Sequence, residues 1–224
     1  MRVLSLDVGV KNMSFTEVTV FKDRSACQID DWGLIDITEG CDMDPSRLMR
    51  DISLLSQRTI ELLYQKFFAD RSPNNVYDCI IIENQPVIKN PTMKTLQVMI
   101  YTFFQTMRVV YGGVNDVRFV SASSKLDAVL TKQRTKTMSY KERKRISVDI
   151  CRYLLSNSHF KDGDGTNAKI EMSLNANGGE QLLCSTSYIV KADQKYVDLF
   201  EKSTKKDDLA DALLQCMAYI FKAC

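Results

Sequence analysis

Residues 2–21 read RVLSLDVGVKNMSFTEVTVF, a stretch that predicts the two strands of a β-hairpin. Apolar residues surround Asp7 in the first strand, and Gly9 permits a tight bend before the second strand. An acidic side chain inside an apolar strand is expensive to bury unless something pairs with it. Asp7 is therefore a candidate functional residue, although capping by backbone N–H groups would explain it equally well.

The rest of the chain predicts an α/β protein with a mixed sheet. Further strands are expected at residues 31–38, in YDCIIIENQP (77–86) and in VRFVSA (117–122). A long amphipathic helix is expected from Asp44 to Phe67, and other helices at about 92–111, 140–156 and 207–222.

The segment of about 157–200 has weak periodicity and is rich in Asn, Gly, Asp and Ser. It predicts an insertion or extended loop, with one possible strand pair around 169–173 and 182–190. A single domain over 1–224 is therefore expected.

The composition fits a globular protein and excludes several classes. With 45% hydrophobic and 26% charged residues, the 224-residue chain is unlike a disordered one. His159 is the only histidine, which rules out most His-based catalysis. The seven cysteines form no CxxC or Cys/His cluster, which predicts free thiols in a reducing intracellular compartment. No apolar run approaches the ~20 residues that cross a bilayer, so no membrane partner is expected.

Four acidic residues fall where strand ends and a helix face would bring them together: Asp7, Glu83, Asp208 and Asp211. Lysine and arginine are scarce beside the first two, so a divalent cation is the expected partner. Oxygen ligands without nearby His or Cys suit Mg²⁺ or Mn²⁺, and two such ions about 4 Å apart would hydrolyse phosphodiesters. The spacing leaves open whether Asp207 or Asp208 pairs with Asp211. Acids in a first helical turn are also commonly only dipole and cap stabilisers.

Three motifs carry a family resemblance: LSLDVGVKNMS (4–14), IIIENQP (80–86) and KKDDLADALL (205–214). In this order they resemble the motifs of RuvC-type Holliday junction resolvases, and the short chain and IENQ form look closest to the poxvirus and large-DNA-virus branch. The resemblance implies an RNase H-like fold, in which helices flank a five-stranded mixed sheet of three antiparallel strands followed by two parallel strands. It also implies a homodimer that cuts four-way DNA junctions by paired symmetrical nicks, leaving 5′-phosphate and 3′-hydroxyl ends.

The resemblance also assigns roles to individual residues. Asp7, Glu83, Asp208 and Asp211 match the carboxylates that hold two Mg²⁺ ions per active site, with Mn²⁺ as a substitute, and Asp207 becomes a neighbour. Lys125 lies where related resolvases carry a lysine near the scissile phosphate, and would stabilise charge in the transition state. An exposed loop lysine is the alternative. The segment of about 157–200 is long for this family, which leaves its role open.

A basic segment, KQRTKTMSYKERKR (132–145), is concentrated in a chain of net charge +2 and suits contact with DNA phosphates. Its candidates are Lys132, Arg134, Lys136, Lys141, Arg143, Lys144 and Arg145. A solvated helix face or a targeting signal is the alternative. On position alone, Lys11, Asn84 and Gln85 would also contact a DNA strand.

The predicted helix at 92–111 is apolar around most of its circumference, which indicates burial on two sides. A central helix covered by its own domain would satisfy this pattern. In RuvC-like enzymes the equivalent helix lies at the dimer interface, and the resemblance therefore implies a homodimer through this helix.

Three alternatives remain open from the sequence. Another RNase H-like nuclease acting on flaps or RNA–DNA hybrids would share the same carboxylates. An actin/Hsp70-like nucleotide-binding domain is suggested by LDVG, but the second Gly-rich phosphate loop is missing. A catalytically inactive DNA-binding module is the third. The basic segment would serve either nucleus or cytoplasm, with the host cytoplasm expected for a poxvirus-like protein.

Overall fold

The computed structural model describes residues 1–69, 77–87, 90–122, 124–127, 138–156 and 189–223. The strands are β1 (Arg2–Asp7), β2 (Met13–Val20), β3 (Ala26–Ile35), β4 (Cys79–Asn84), β5 (Val117–Ser121) and β6 (Ile189–Lys191). The helices are α1 (Pro45–Leu48), α2 (Ile52–Phe67), α3 (Pro91–Thr106), α4 (Ser124–Asp127), α5 (Tyr140–Ser156), α6 (Gln194–Lys202) and α7 (Lys206–Ala223).

The strands form one mixed sheet in the order β5-β4-β1-β2-β3-β6. The first three strands pair antiparallel, and β4 and β5 extend the sheet parallel to β1. The predicted arrangement of three antiparallel strands followed by two parallel strands is confirmed. The predicted strand count of five is wrong by one, because β6 pairs parallel to β3 at the far edge.

The sheet separates two hydrophobic cores. Alternate residues of β1 point to opposite faces, so Leu4 and Leu6 pack with α2 and α3, whereas Val3 packs with α5, α6 and α7. The same alternation in β4 sends Ile80 and Ile82 to the α2–α3 side and leaves Ile81 on the α7 side. The odd-numbered positions at the ends of both strands therefore face α7.

Residues 189–202, which fall in the predicted insertion, contribute a strand and a helix to the core. Phe200 on α6 is fully buried and stacks on Trp32, with ring centroids 5.5 Å apart. The Trp32 indole in turn donates a hydrogen bond to the Leu209 carbonyl at 3.1 Å. The loop predicted to about residue 200 is thus wrong for α6, whereas β6 overlaps the end of the strand predicted at 182–190. Residues 157–188, with the strand proposed at 169–173, lie outside the described residues, and the single-domain organisation stays a prediction.

The long helix predicted from Asp44 to Phe67 is divided in two. Asp44 caps α1 by accepting a hydrogen bond from the Ser46 backbone N–H at 2.8 Å. Asp51 caps α2 in the same way through Leu54 N–H at 3.0 Å. Asp51 interrupts the helical pattern, because an N-cap residue has non-helical backbone dihedrals. The chain therefore forms two helices instead of one.

The other predicted helices are confirmed within a residue or two. Helix α3 continues into a π-helical turn over Met107–Tyr111 and ends at Gly112, whose φ of 71° is the left-handed conformation that favours glycine. Helix α5 has the predicted bounds, and α7 begins one residue early. Among the described helices, none is long and apolar enough to cross a membrane.

We predict that Phe200→Ala destabilises the protein by about 3–5 kcal/mol, because it empties the space beside Trp32. Chemical denaturation followed by circular dichroism measures this. The control is Leu199→Ala on the same helix, where the side chain is 39% exposed and a change within about 0.5 kcal/mol is expected. Equal stabilities for the two variants would contradict a structural role for α6.

Candidate active site

The carboxylates of Asp7 and Glu83 are brought together by the parallel pairing of β1 and β4. Leu6 pairs with Ile82 in register, so the next residue of each strand lies at the same edge of the sheet. Both next residues are acidic, and both face α7. Neighbouring parallel strands are about 4.8 Å apart, which places the backbones that carry the two carboxylates side by side.

Helix α7, which packs on one face of the sheet, carries the remaining acids, Asp208 and Asp211. Asp211 lies near the strand-end pair, and the negative charge of Asp208 acts on Asp7. Asp207 instead forms an ion pair with Lys144 of α5. Lys144 Nζ also lies 3.9 Å from Asp208 Oδ1, so this lysine approaches both acids, and the pairing of Asp208 with Asp211 stays a prediction.

Lys125 lies at the centre of the carboxylates. Its Nζ is 3.2 Å from Asp7 Oδ1, 3.4 Å from Glu83 Oε2 and 3.3 Å from Asp211 Oδ2. The side chain is only 6% exposed and comes from the short helix α4. The sequence predicts few lysines beside Asp7 and Glu83. This prediction is wrong, because folding brings Lys125 next to both acids from a distant part of the chain.

The pKa values reflect one ammonium shared among several acids. Burial raises the pKa of Asp7 and of Asp211, and Lys125 only partly offsets this. Burial and the adjacent Asp207 raise the pKa of Asp208. Burial alone would lower the pKa of Lys125, but Asp7 and Asp211 outweigh it and raise that pKa. The site therefore has an excess of negative charge.

Buried glutamines fix the elements that carry the acids, and the sequence analysis did not identify them. Gln215 Nε2 donates to Ser5 Oγ and to the Leu6 carbonyl, both at 3.1 Å, and so ties α7 to the end of β1. Its position one helical turn after Asp211 is the signal that could have revealed it. Gln97 on α3 accepts a hydrogen bond from the Gln85 backbone N–H at 2.8 Å, which holds the chain after Glu83.

A cavity of about 360 Å³ connects the carboxylates to the basic helix α5. Its lining includes Glu83, Lys125, Tyr140, Arg143, Lys144, Ser147 and Asp211. Acids and bases thus share one concave surface, which is suited to a phosphate held beside the acidic centre.

The other predicted DNA contacts have varied surroundings. Lys141, Arg143 and Arg145 are exposed on α5, whereas Lys144 is engaged by Asp207 and lies over the Tyr140 ring. Lys11 is exposed in the turn between β1 and β2.

Asn84 and Gln85, the two predicted DNA contacts beside Glu83, form hydrogen bonds within the protein. Asn84 accepts a hydrogen bond from Lys94 at 2.9 Å, and Gln85 Nε2 donates to Glu83 Oε2 at 3.1 Å. Lys132, Arg134 and Lys136 lie outside the described residues. The DNA-binding roles of all these residues stay predictions.

The donor set suits a hard divalent ion, although its present arrangement is not a finished metal site. Four carboxylates supply oxygen ligands of the kind that Mg²⁺ and Mn²⁺ take. In the part of the chain that the structure describes, however, no three His, Cys, Asp or Glu side chains converge closely enough to hold a metal as they stand. The Lys125 ammonium fills the position toward which Asp7, Glu83 and Asp211 point.

A separate apolar groove lies between α2 and α3. It has a volume of about 660 Å³, and Ile60, Tyr64, Val98 and Tyr111 line it with 43–68% of their surfaces exposed. We call it the α2–α3 groove. The predicted two-sided burial of the 92–111 helix is therefore only half satisfied, since Ile100 and Phe104 are buried in the core but Val98 is exposed. Exposed apolar patches of this kind commonly mark interaction surfaces.

Comparison with known proteins gives a family and a fold. Residues 3–222 match the sequence model of a family described as mitochondrial resolvase Ydc2 / RNA splicing MRS1. Curated protein sequences give no match.

Solved structures show the same fold. The yeast mitochondrial Holliday junction resolvase Ydc2 has a TM-score of 0.56 and 17% identity, over 98% of this chain and 78% of that chain. The fowlpox virus Holliday junction resolvase has a TM-score of 0.53 and 16% identity, over 99% of both chains. Its complex with Holliday junction DNA has a TM-score of 0.54 and 16% identity, over 100% of this chain and 99% of that chain. These similarities confirm the predicted RNase H-like resolvase fold.

We predict that Asp7→Asn stabilises the protein by about 1 kcal/mol in chelator at neutral pH, because it removes one of the crowded negative charges. The raised folded-state pKa of Asp7 means that its ionised form costs stability at neutral pH. That cost disappears as the pH falls below the ordinary value of 3.8. Thermal melts at neutral and acidic pH measure the effect. Asp42→Asn, at an exposed position, is the control and should change nothing. A clear loss of stability in Asp7→Asn would contradict the charge excess.

Proposed function

The chain belongs to the mitochondrial resolvase Ydc2 / RNA splicing MRS1 family, and from this we propose that it is a structure-selective endodeoxyribonuclease that resolves four-way DNA junctions. The observation that carries the proposal is the convergence of Asp7, Glu83 and Asp211 on one centre beside the basic helix α5. A catalytically inactive member of the family would have no need of such a costly concentration of acids.

The four carboxylates would hold two Mg²⁺ ions per site, or Mn²⁺ as a substitute. When bound, such ions activate water and stabilise the leaving oxygen, so that the ends are 5′-phosphate and 3′-hydroxyl. The protein's part is to hold the acids rigidly: Asp7 and Glu83 on paired strands, and Asp208 and Asp211 on a helix tied to β1 by Gln215.

The exposed cations of α5 would bind the phosphate backbone of the junction. Lys141, Arg143 and Arg145 lie along the helix that borders the acidic cavity. Phosphate contacts give affinity and position without reading the base sequence. Recognition of the junction by its shape follows from this, and Lys11, Asn84 and Gln85 would touch the strand being cut.

Two copies of the chain would form a homodimer through the α2–α3 groove. A second copy fits because the exposed apolar side chains Ile60, Tyr64 and Val98 form a surface that water solvates poorly. Two-fold symmetry would place two active sites for symmetrical nicks in opposite strands. This role extends the predicted interface at residues 92–111 to include α2.

Two further features of the proposal concern substrate and compartment. The family description also names an RNA splicing protein, so RNA-containing substrates belong in any test, together with flaps and RNA–DNA hybrids. A reducing intracellular compartment is supported by Cys41, Cys79, Cys151 and Cys216, which form no disulfide bond.

We predict that Asp7→Asn, Glu83→Gln, Asp208→Asn and Asp211→Asn each slow junction cleavage at least about a hundredfold, since a lost metal ligand removes several kcal/mol of transition-state stabilisation. Cleavage of a synthetic four-way junction in Mg²⁺ measures this, with flap, RNA–DNA hybrid and RNA duplex substrates in parallel at equal salt.

The matched control is Asp207→Asn, because this neighbouring acid pairs more closely with Lys144 than Asp208 does and is not a proposed metal ligand. A change below about threefold is expected, since a partly exposed ion pair is worth less than about 1 kcal/mol. Full activity in the Asp7 and Glu83 variants would refute the assignment of these carboxylates to the active site. Faster cleavage of the RNA–DNA hybrid than of the junction would show that the hybrid is the preferred substrate.

We predict that Val98→Glu converts a dimer into monomers, because it places a charge in the α2–α3 groove. Sedimentation velocity measures the oligomeric state at micromolar concentration. Leu199→Glu adds the same charge at an exposed apolar residue on α6 and should leave the dimer intact. A dimeric Val98→Glu variant, or a monomeric parent protein, would rule out this interface.

A further inference from the structure

The position of Lys125 raises a question about the order of events at the site. Its ammonium lies within 3.4 Å of oxygens from three acids that come from two strands and one helix. The side chain is almost fully buried and therefore belongs to the interior of the centre, unlike a surface lysine. One positive charge faces the negative charges of Asp7, Glu83 and Asp211.

An ammonium and a divalent ion cannot both occupy this centre. The oxygens that contact Nζ belong to the acids that would coordinate metal, and coordination needs those oxygens at about 2.0–2.1 Å from Mg²⁺. A divalent ion held that closely would lie against the ammonium and repel it strongly in a buried setting.

We propose that Lys125 is a built-in counter-ion that occupies the metal position in the metal-free protein and is displaced when a divalent ion binds. This inference rests on the proposed metal-dependent function and adds a competition between the protein's own cation and the metal. The exchange needs no proton transfer, because the lysine stays charged in both states.

The cavity that Lys125 lines offers space for the displaced ammonium. Its volume is about 360 Å³, and its lining includes Ser147, whose hydroxyl oxygen is an acceptor for an ammonium, and Tyr140, which Lys144 already contacts. Four rotatable side-chain bonds let Nζ move there while α4 stays packed on α7. The movement carries a positive charge from the acids to the wall shared with Arg143, on the side where a DNA phosphate would lie.

The competition has two consequences. Without metal, Lys125 keeps the acids from repelling one another, so the fold does not depend on an ion. With metal, the ion must remove the ammonium first, and its measured affinity is lowered by that work. The lysine is then free to act on the phosphate only after the metal is in place.

The test measures metal binding without DNA. Mn²⁺ is titrated calorimetrically into the full chain and into Lys125→Met, which keeps the length of the side chain and removes its charge. We expect Lys125→Met to bind Mn²⁺ at least about tenfold more tightly, because no ammonium has to be displaced. The control is Lys66→Met, which removes a lysine paired with Asp31 on the surface and should leave Mn²⁺ affinity unchanged.

A second readout is the thermal midpoint. In chelator, Lys125→Met should melt below the parent protein, and Mn²⁺ should raise its midpoint by more than it raises that of the parent. A purely structural lysine would lower the midpoint without tightening Mn²⁺ binding, and that result would overturn the inference. If Lys125→Met does not fold in chelator, Lys125→Gln, which retains hydrogen-bond donors, takes its place.

The outcomes separate this inference from the proposed function. If Lys125→Met binds Mn²⁺ no more tightly than the parent protein, and the parent protein cuts junctions in Mg²⁺, the counter-ion role of Lys125 is refuted and the proposed nuclease function stands. If neither the parent protein nor Lys125→Met binds Mn²⁺, the counter-ion role and the proposed metal-dependent function are both refuted.

Discussion

The mutual repulsion of buried carboxylates is the constraint on which the site depends. Folding brings Asp7, Glu83 and Asp211 to one edge of the sheet, where burial raises the pKa of Asp7 and of Asp211 and makes them more costly to ionise than in water. A positive charge placed among the acids offsets part of this cost. In the structure that charge is Lys125, whose ammonium is the only group that contacts all three among the described residues.

The sheet and α7 act together to maintain this arrangement. Parallel pairing of β1 with β4 fixes two acids by register alone, whereas α7 must be held at the correct rotation to present the others. Gln215 does this from within the core by donating to β1, and Trp32 secures the start of the same helix. Among the described residues, the acids of the site are thus carried by elements whose apolar faces form the core.

The sequence predicts those parts that depend on local pattern. The apolar runs of β1 and β4 identify Asp7 and Glu83 as outliers, and their common edge follows from strand pairing. Spacing cannot choose between Asp207 and Asp208, because both lie near one helix face, and Lys144 of α5 approaches both of them. Lys125 is likewise placed by tertiary packing, which leaves no local signal for its contacts. Helix α6 was missed because a three-residue strand and a polar segment precede it.

The central claim is that these acids form a divalent-metal site for phosphodiester cleavage. The most direct measurement is an anomalous difference map from crystals of the protein soaked in Mn²⁺. The account predicts Mn²⁺ peaks within coordination distance of carboxylate oxygens of Asp7 and Asp211, with Glu83 and Asp208 completing the site. Peaks only at other surface acids, with these four carboxylates empty at saturating Mn²⁺, would contradict it.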